Sequence, residues 1–262
     1  MKQLLVASEY GEPSNHEEAI CQRLFTAKST KGRDVCLLLI TKNLPSCLQI
    51  LRVVDTLDVP TQVHCTVTGL GNTSIEPHIP SSNLVVEDSI RVIEKYRINP
   101  KFVTVRIDPL VPELIKEQMD VIPRILRAFS DIGVKDCRAS VVDYYPHVRK
   151  RFDVLGMKHP LGFQPSTSIK ESMISQLFRL TRRFGMNLHL CAESIPRSLA
   201  NGDGVDVEGC ASSESWRRLG IDNLRPAIEK QRRTCTCDLK KEDLLTGMEK
   251  GCKQGCAYCY WR

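Results

Sequence analysis

Apolar residues recur along this chain with two different periods. Six short runs are apolar at every position or at alternate ones: "QLLVAS" (3–8), "DVCLLLI" (34–40), "TQVHCTVTG" (61–69), "KFVTVRID" (101–108), "CRASVVDY" (137–144) and "NLHLCAE" (187–193). That patterning predicts β-strands. Between them, apolar residues return every three or four positions over 15–28, 45–57, 83–97, 111–133 and 168–185, which predicts helices. Ser14 or Asn15, Pro45, and Ser166 or Thr167 stand where helices start, and Gly133 and Gly185 where they stop.

Strands separated by helices pair in parallel through right-handed crossovers. Runs such as "DVCLLLI" have no polar alternate, as expected when both faces of a sheet are covered. The pattern predicts an α/β fold, a partial or complete (β/α) barrel of the TIM-like kind. A doubly wound open sheet is the alternative, because strand order is not written in one sequence. The alternation stops after residue 194, so 1–194 is expected to form the core. Residues 195–262 form a cysteine-rich, basic segment of the same globular unit, expected to fold over the C-terminal ends of the strands.

In a barrel, chemistry gathers at those ends. Here they carry Lys42, Thr68-Gly69 with Glu76 beyond, Arg106 and Asp108, Asp143-Tyr144, and Glu193. A charged group closing an apolar strand costs desolvation unless it faces a cleft or a partner. Any one of them has a structural alternative: Asp108 as a helix cap, Arg106 as its internal partner. Five such endings point to a polar mouth. Arg106, Asp108, Asp143, Tyr144 and Glu193 are the candidate catalytic residues. Lys42, Thr68, Gly69, Glu76 and Tyr258 are the candidate cofactor-binding ones.

Composition narrows the setting. The 262 residues are 42% hydrophobic and 26% charged, ordinary for a soluble domain. No apolar run approaches the roughly 20 residues that span a bilayer, and the start has too short an apolar stretch for a secretory leader. A cytoplasmic protein without a membrane partner is expected. The net charge of +6 is uneven: from residue 211 onward, eleven basic residues face seven acidic ones, a local excess of +4. Such a segment either attracts a phosphate-bearing partner or offsets the charge of bound thiolates.

Twelve cysteines in a cytoplasmic chain indicate metal or catalytic chemistry more than disulfides. Cys21, Cys36, Cys47, Cys65 and Cys137 stand singly in apolar segments and read as core residues. Cys191, Cys210, Cys235, Cys237, Cys252, Cys256 and Cys259 crowd into the last part of the chain. The final three form C-x3-C-x2-C within "GCKQGCAYCYWR". This spacing suits an iron–sulfur cube with one iron left without a cysteine. A structural zinc drawing on Cys235 and Cys237 is the competing reading. The remaining four, Cys191, Cys210, Cys235 and Cys237, match the number for a closed site: a second iron–sulfur cluster or a zinc. Cys191 has core packing as its own alternative.

The terminal loop, with Tyr258 before its last cysteine, resembles that of the radical S-adenosylmethionine enzymes. The ordered segments "ITKNLP", "TVTGLGNTSIEPHIP", "VRIDPLV", "SVVDYY", "LCAE", Cys210 and "QRRTCTC" resemble an uncharacterised bacterial domain-of-unknown-function family. That family is grouped with radical S-adenosylmethionine proteins and is also labelled DNA-repair photolyase-like. The resemblance implies a [4Fe-4S] cluster on Cys252, Cys256 and Cys259, S-adenosylmethionine on the open iron, an electron donor, and a 5′-deoxyadenosyl radical. The substrate it implies is a small molecule, a nucleobase or nucleic acid. In the superfamily at large the loop follows the first strand; standing last here, it implies a permuted arrangement. A non-catalytic iron–sulfur protein, or a zinc-stabilised barrel that binds a ligand or partner, is the alternative function.

Overall fold

A computed structural model describes residues 1–8, 11–30, 32–200, 203–229, 235–247 and 252–260. All six expected strands form: β1 (Gln3–Ala7), β2 (Val35–Thr41), β3 (Thr61–Thr66), β4 (Val103–Leu110), β5 (Asp136–Val141) and β6 (Asn187–Leu190). Two further ones, β7 (Val205–Val207) and β8 (Lys241–Asp243), come from the segment after residue 194. Each is three residues long and one is wholly charged, so neither carries a periodic signal.

The eight strands make one sheet in the order β7-β6-β5-β4-β3-β2-β1-β8, and every pairing is parallel. From β1 to β7 each new strand is added at the same edge. A doubly wound sheet reverses direction at a switch point, so that alternative does not describe this chain. Among the described residues no pairing joins β7 to β8.

The expected helices are present as α1 (Glu17–Phe25), α2 (Leu48–Thr56), α3 (Ser82–Lys95), α4 (Ile115–Asp131) and, as the sixth, α6 (Thr167–Arg183). The Ser166 side chain accepts the Ile169 N–H and so caps α6. Gly133 and Gly185 follow α4 and α6 with φ of 92° and 63°, the left-handed turn that glycine reaches without strain. Sequence periodicity did not reveal α5 (Pro146–Val154) or α7 (Ser213–Arg218). The first buries only Val148 and Phe152 among charged residues, and the second is six residues long.

The two faces of the sheet are covered differently. One, carrying Leu5, Leu37, Val63, Val105, Cys137 and Leu188, packs against α1 to α6 in one apolar core. The other begins apolar on β1 and β2, where Leu4, Val6, Cys36 and Leu38 meet Trp216 of α7 with Ile221, Leu224 and Leu239. From β3 onward this second face turns polar: Gln62, His64, Thr104, Arg138 and His189 are all buried there. Gln62 Nε2 donates to Ser215 Oγ of α7 at 2.7 Å, closing the polar half against the plug. Among the described residues, no helix is long and apolar enough to cross a membrane.

Candidate functional site

The strand C-terminal ends open into a cavity of about 280 Å3. Its wall takes Ser8 from the end of β1, Thr41 and Lys42 from β2, Thr66 from β3, Arg106 and Asp108 from β4, Asp143 beyond β5, and Cys191 and Glu193 beyond β6. Cys252, Cys256, Tyr258 and Cys259 of the terminal loop line the same space, as do Cys210 and Cys235. Sequence-distant thiols and strand ends thus share one wall.

A buried charge network holds the terminal loop in place. Lys42 Nζ donates to Glu76 Oε1 at 2.9 Å and to the Tyr258 hydroxyl at 2.7 Å, and that hydroxyl donates to Glu76 Oε1. Thr68 Oγ1 donates to the other Glu76 oxygen at 2.6 Å. The Lys42 ammonium also lies 5.2 Å from the centre of the Tyr258 ring. Burial opposes the Lys42 charge, but the Glu76 carboxylate and Cys256 outweigh it and raise its pKa. The loop backbone is tied twice more: the Ala257 N–H donates to the Ile75 carbonyl, and Arg151 donates to the Cys259 carbonyl at 2.7 Å. Within this loop Cys252 is exposed while Cys256 is buried, and burial pushes the Cys256 thiol up to about 12.

The remaining polar wall is paired. Arg106 bridges to Asp108, which also accepts from Ser140 Oγ. Lys170 Nζ donates to Glu193 Oε2 at 2.9 Å, and the Val141 N–H donates to Glu193 Oε1. Burial raises the Glu193 pKa against the pull of Lys170. Gln164 Nε2 donates to Asp143 Oδ1 at 2.8 Å.

Cys191, Cys210, Cys235 and Cys237 gather where β6, the end of β7 and the approach to β8 meet. Cys210 Sγ lies 3.5 Å from Cys237 Sγ, and Cys237 Sγ accepts the Ala211 N–H at 3.4 Å. Hydrogen bonds from Cys191 and Cys237 hold the Cys210 thiol well below its ordinary value, and one from Cys237 brings Cys235 down to about 6. Beneath them the buried Arg138 donates to the Glu208 and Gly209 carbonyls and pairs with the Glu208 carboxylate at 2.8 Å. That guanidinium fixes the turn that delivers Cys210.

Most sequence-derived candidates meet here. Arg106, Asp108, Asp143, Glu193, Lys42, Tyr258 and six of the seven clustered cysteines line the cavity. Tyr144 does not: its side chain is fully buried and its hydroxyl donates to Glu113, while the next residue, Tyr145, lines the wall. Thr68 and Glu76 stand behind the wall and act through Lys42 and Tyr258. Gly69 turns with φ of 87° against the α4 backbone at Gln118, and Cys237 packs beside Gly209, Cys210 and Ala211. Glu12 was not anticipated. It is buried, lines the cavity, and accepts from the Thr41 hydroxyl and the Lys42 N–H. Its signal was available, since the end of β1 is as polar as the other strand ends. Of the basic tail, Lys230, Arg232, Arg233, Lys250 and Arg262 lie outside the described residues. Arg217 and Arg218 pair with Glu214 and Glu208.

None of the curated proteins matches this chain. Among solved structures it is similar to the carboxyl transferase domain from Rhizobium etli pyruvate carboxylase, solved with pyruvate and biocytin. The identity is 10% and the TM-score 0.40, over 83% of this chain and 33% of that one. The chain therefore spans about a third of that structure's length. One family model, described as Domain of unknown function (DUF1848), matches residues 15–261.

Proposed function

We propose, for a chain that belongs to the DUF1848 family of domains of unknown function, that it is a radical S-adenosylmethionine-type iron–sulfur enzyme acting on an organic substrate. The observation that carries this reading is the convergence of Cys252, Cys256 and Cys259 with the polar strand ends on one cavity wall. When bound, a [4Fe-4S] cluster and S-adenosylmethionine supply a 5′-deoxyadenosyl radical. The rising strand order, with β8 returning beside β1, supports a partial (β/α) barrel as the scaffold. Twelve cysteines, none of them joined in a disulfide, suit the reducing cytoplasm.

The donor set fits the cluster. Three thiols in a short loop leave one metal position for another ligand, and the loop is anchored at Tyr258, Ala257 and Cys259. Lys42 and Glu76 position that loop through Tyr258 and place a cation beside Cys256. Arg106 offers its guanidinium to a carboxylate or phosphate, and Asp108 and Glu193 accept from ribose hydroxyls. Asp143 and Gln164, hydrogen-bonded to each other, complete the wall and limit access of water. A cavity of about 280 Å3 takes one small molecule or one nucleobase. A base held in duplex DNA first has to leave its stack.

Anaerobically reconstituted, reduced protein incubated with S-adenosylmethionine is expected to form 5′-deoxyadenosine, and the Cys256→Ala chain is expected to form none. No product from cluster-loaded protein under any reductant would leave the alternative standing, a non-catalytic iron–sulfur or zinc-stabilised protein that binds a ligand or partner.

A further inference from the structure

β7 and β8 stand at the two ends of the strand order, and among the described residues no pairing joins them. Four cysteines gather at that seam. Cys191 follows β6 directly, Cys210 lies just beyond β7, and Cys235 and Cys237 lead into β8. Their thiols form a row: Cys191 contacts Cys210, Cys210 Sγ lies 3.5 Å from Cys237 Sγ, and Cys237 contacts Cys235. The backbones on the two sides are pinned together. The Asp238 and Leu239 N–H groups donate to the Ala211 carbonyl at 3.2 and 3.3 Å, and a Cβ added to Gly209 would stand 2.4 Å from the Cys237 nitrogen. Thiols are weak donors, so their own contacts do not account for drawing four of them from three segments.

The spacing selects the kind of centre. A zinc ion in a sulfur tetrahedron holds its ligands about 3.8 Å apart, given Zn–S bonds of about 2.3 Å. The middle pair, Cys210 and Cys237, is already close to that separation. An iron–sulfur cube seats each cysteine on its own iron, which keeps the sulfurs out of contact. Among the described residues no three of these sulfurs lie within 4.8 Å of one another. The ends of the row, Cys191 and Cys235, border the open cavity and have room to rotate onto an ion held by the middle pair.

The surroundings suit the charge. Four thiolates around a divalent ion carry a net negative charge; Arg106 and Lys241 line the adjoining wall, and Arg138 lies beneath it. The Nε atoms of Arg106 and Arg138 are buried without a hydrogen-bond partner among the described residues, a costly state unless something accepts from them. Cys237 Sγ accepts the Ala211 N–H at 3.4 Å, the kind of outer hydrogen bond that steadies a metal-bound thiolate. The nearby group of His189, Asp206 and Glu208 is engaged otherwise: Arg138 and Arg218 hold the Glu208 carboxylate, and Asp136 lies 3.1 Å from His189 Nε2.

We infer that Cys191, Cys210, Cys235 and Cys237 bind a single zinc ion in a closed four-sulfur shell, and that this ion clasps the seam between β7 and β8. The end of β6, the turn after β7 and the approach to β8 then share one metal in place of the strand pairing that would close a barrel. The role is structural, since four sulfurs leave no position for substrate or water. The terminal loop and its three cysteines take no part, so the inference stands apart from the catalytic reading.

The probe is the full chain carrying Cys252→Ala, Cys256→Ala and Cys259→Ala, offered zinc in anaerobic competition with iron and sulfide. It is expected to hold about one zinc, with an X-ray absorption spectrum of four sulfurs at about 2.3 Å, and no iron–sulfur chromophore. Cys235→Ala, at the open end of the row, is expected to lower the sulfur count to three and to weaken zinc binding at least about tenfold. Cys237→Ser is expected to abolish zinc binding, and Cys137→Ser, in the core on the other face of the sheet, to keep it. Chelation is expected to lower the urea midpoint of the triple variant, and returned zinc to restore it. In the otherwise unaltered chain the same zinc is expected to survive Cys256→Ala and to be lost with Cys237→Ser. A cluster formed in preference to zinc, nitrogen or oxygen in the shell, a sulfur count indifferent to Cys235→Ala, or no zinc in either chain would each overturn the inference. None of these readouts involves 5′-deoxyadenosine, whose absence refutes the catalytic reading alone.

Discussion

Replacing Tyr258 with Phe removes one oxygen from the network that pins the terminal loop. That oxygen donates to Glu76 and accepts from Lys42 at 2.7 Å, while Lys42 and Glu76 remain paired at 2.9 Å without it. The loss is therefore close to one hydrogen bond with a charged partner, about 2 kcal/mol, which raises the local opening equilibrium about thirtyfold. Cys256 is buried in the same loop and Cys252 is exposed, so the loop carries its own reference. Thiol alkylation of metal-free protein, read site by site by mass spectrometry, is the assay. Cys256 is expected to react about thirtyfold faster in Tyr258→Phe, with Cys252 unchanged. The buried Cys36 and Cys137, far from the loop in the sheet, are expected to stay protected. A change at Cys256 below about threefold, or about 0.7 kcal/mol, would refute the latch. A parallel rise at Cys137 would do the same, because it would mean general loosening and not local release.

Other consequences are open to measurement. Burial pushes the Glu12 carboxyl above its ordinary value, against hydrogen bonds with Thr41 and Lys42. The folded state then holds that proton more tightly than the unfolded chain does. This contribution to stability is complete below the ordinary carboxyl value of about 4.3 and is lost as pH rises through the raised folded value. Glu12→Gln is expected to flatten that part of the urea-midpoint profile, and an unchanged slope would count against it. Gly209→Ala forces a Cβ into the Cys237 backbone and is expected to cost about 1–3 kcal/mol in urea unfolding; an unaltered midpoint would show the approach to be looser than 2.4 Å. Trp216→Ala empties the plug on the second face of the sheet and is expected to cost about 3–5 kcal/mol. Trp216→Phe is expected to cost under about 1.5 kcal/mol, because the indole N–H has no partner among the described residues. Equal losses for the two variants would contradict that account.

How much of this was legible beforehand differs by element. The six strands were readable because each keeps one apolar face on the core; β1 and β2 are apolar on the other face too, while β3 to β6 alternate with polar residues there. Five helices were readable because each lays one apolar stripe on the core, with Ser166, Gly133 and Gly185 marking their ends. β7 and β8 were not, since "VDV" and "KED" gain their place only by pairing with β6 and β1. Tyr144 and Tyr145 show the limit at the level of one residue. Adjacent residues at a strand end point to opposite sides, and the sequence does not say which side holds the cavity.

The chain by itself determined the class of the fold, the polar character of the strand ends and the presence of two groups of clustered cysteines. These follow from local period and composition, which need no partner from elsewhere. Only the tertiary structure decided that strand order rises without reversal and that both cysteine groups share one wall. It also decided that Glu12 joins that wall, and that Cys237 turns away from it. Each of these is a relation between segments far apart in the chain, set by how parallel strands pair and where buried charges find partners, and no window along the sequence contains it.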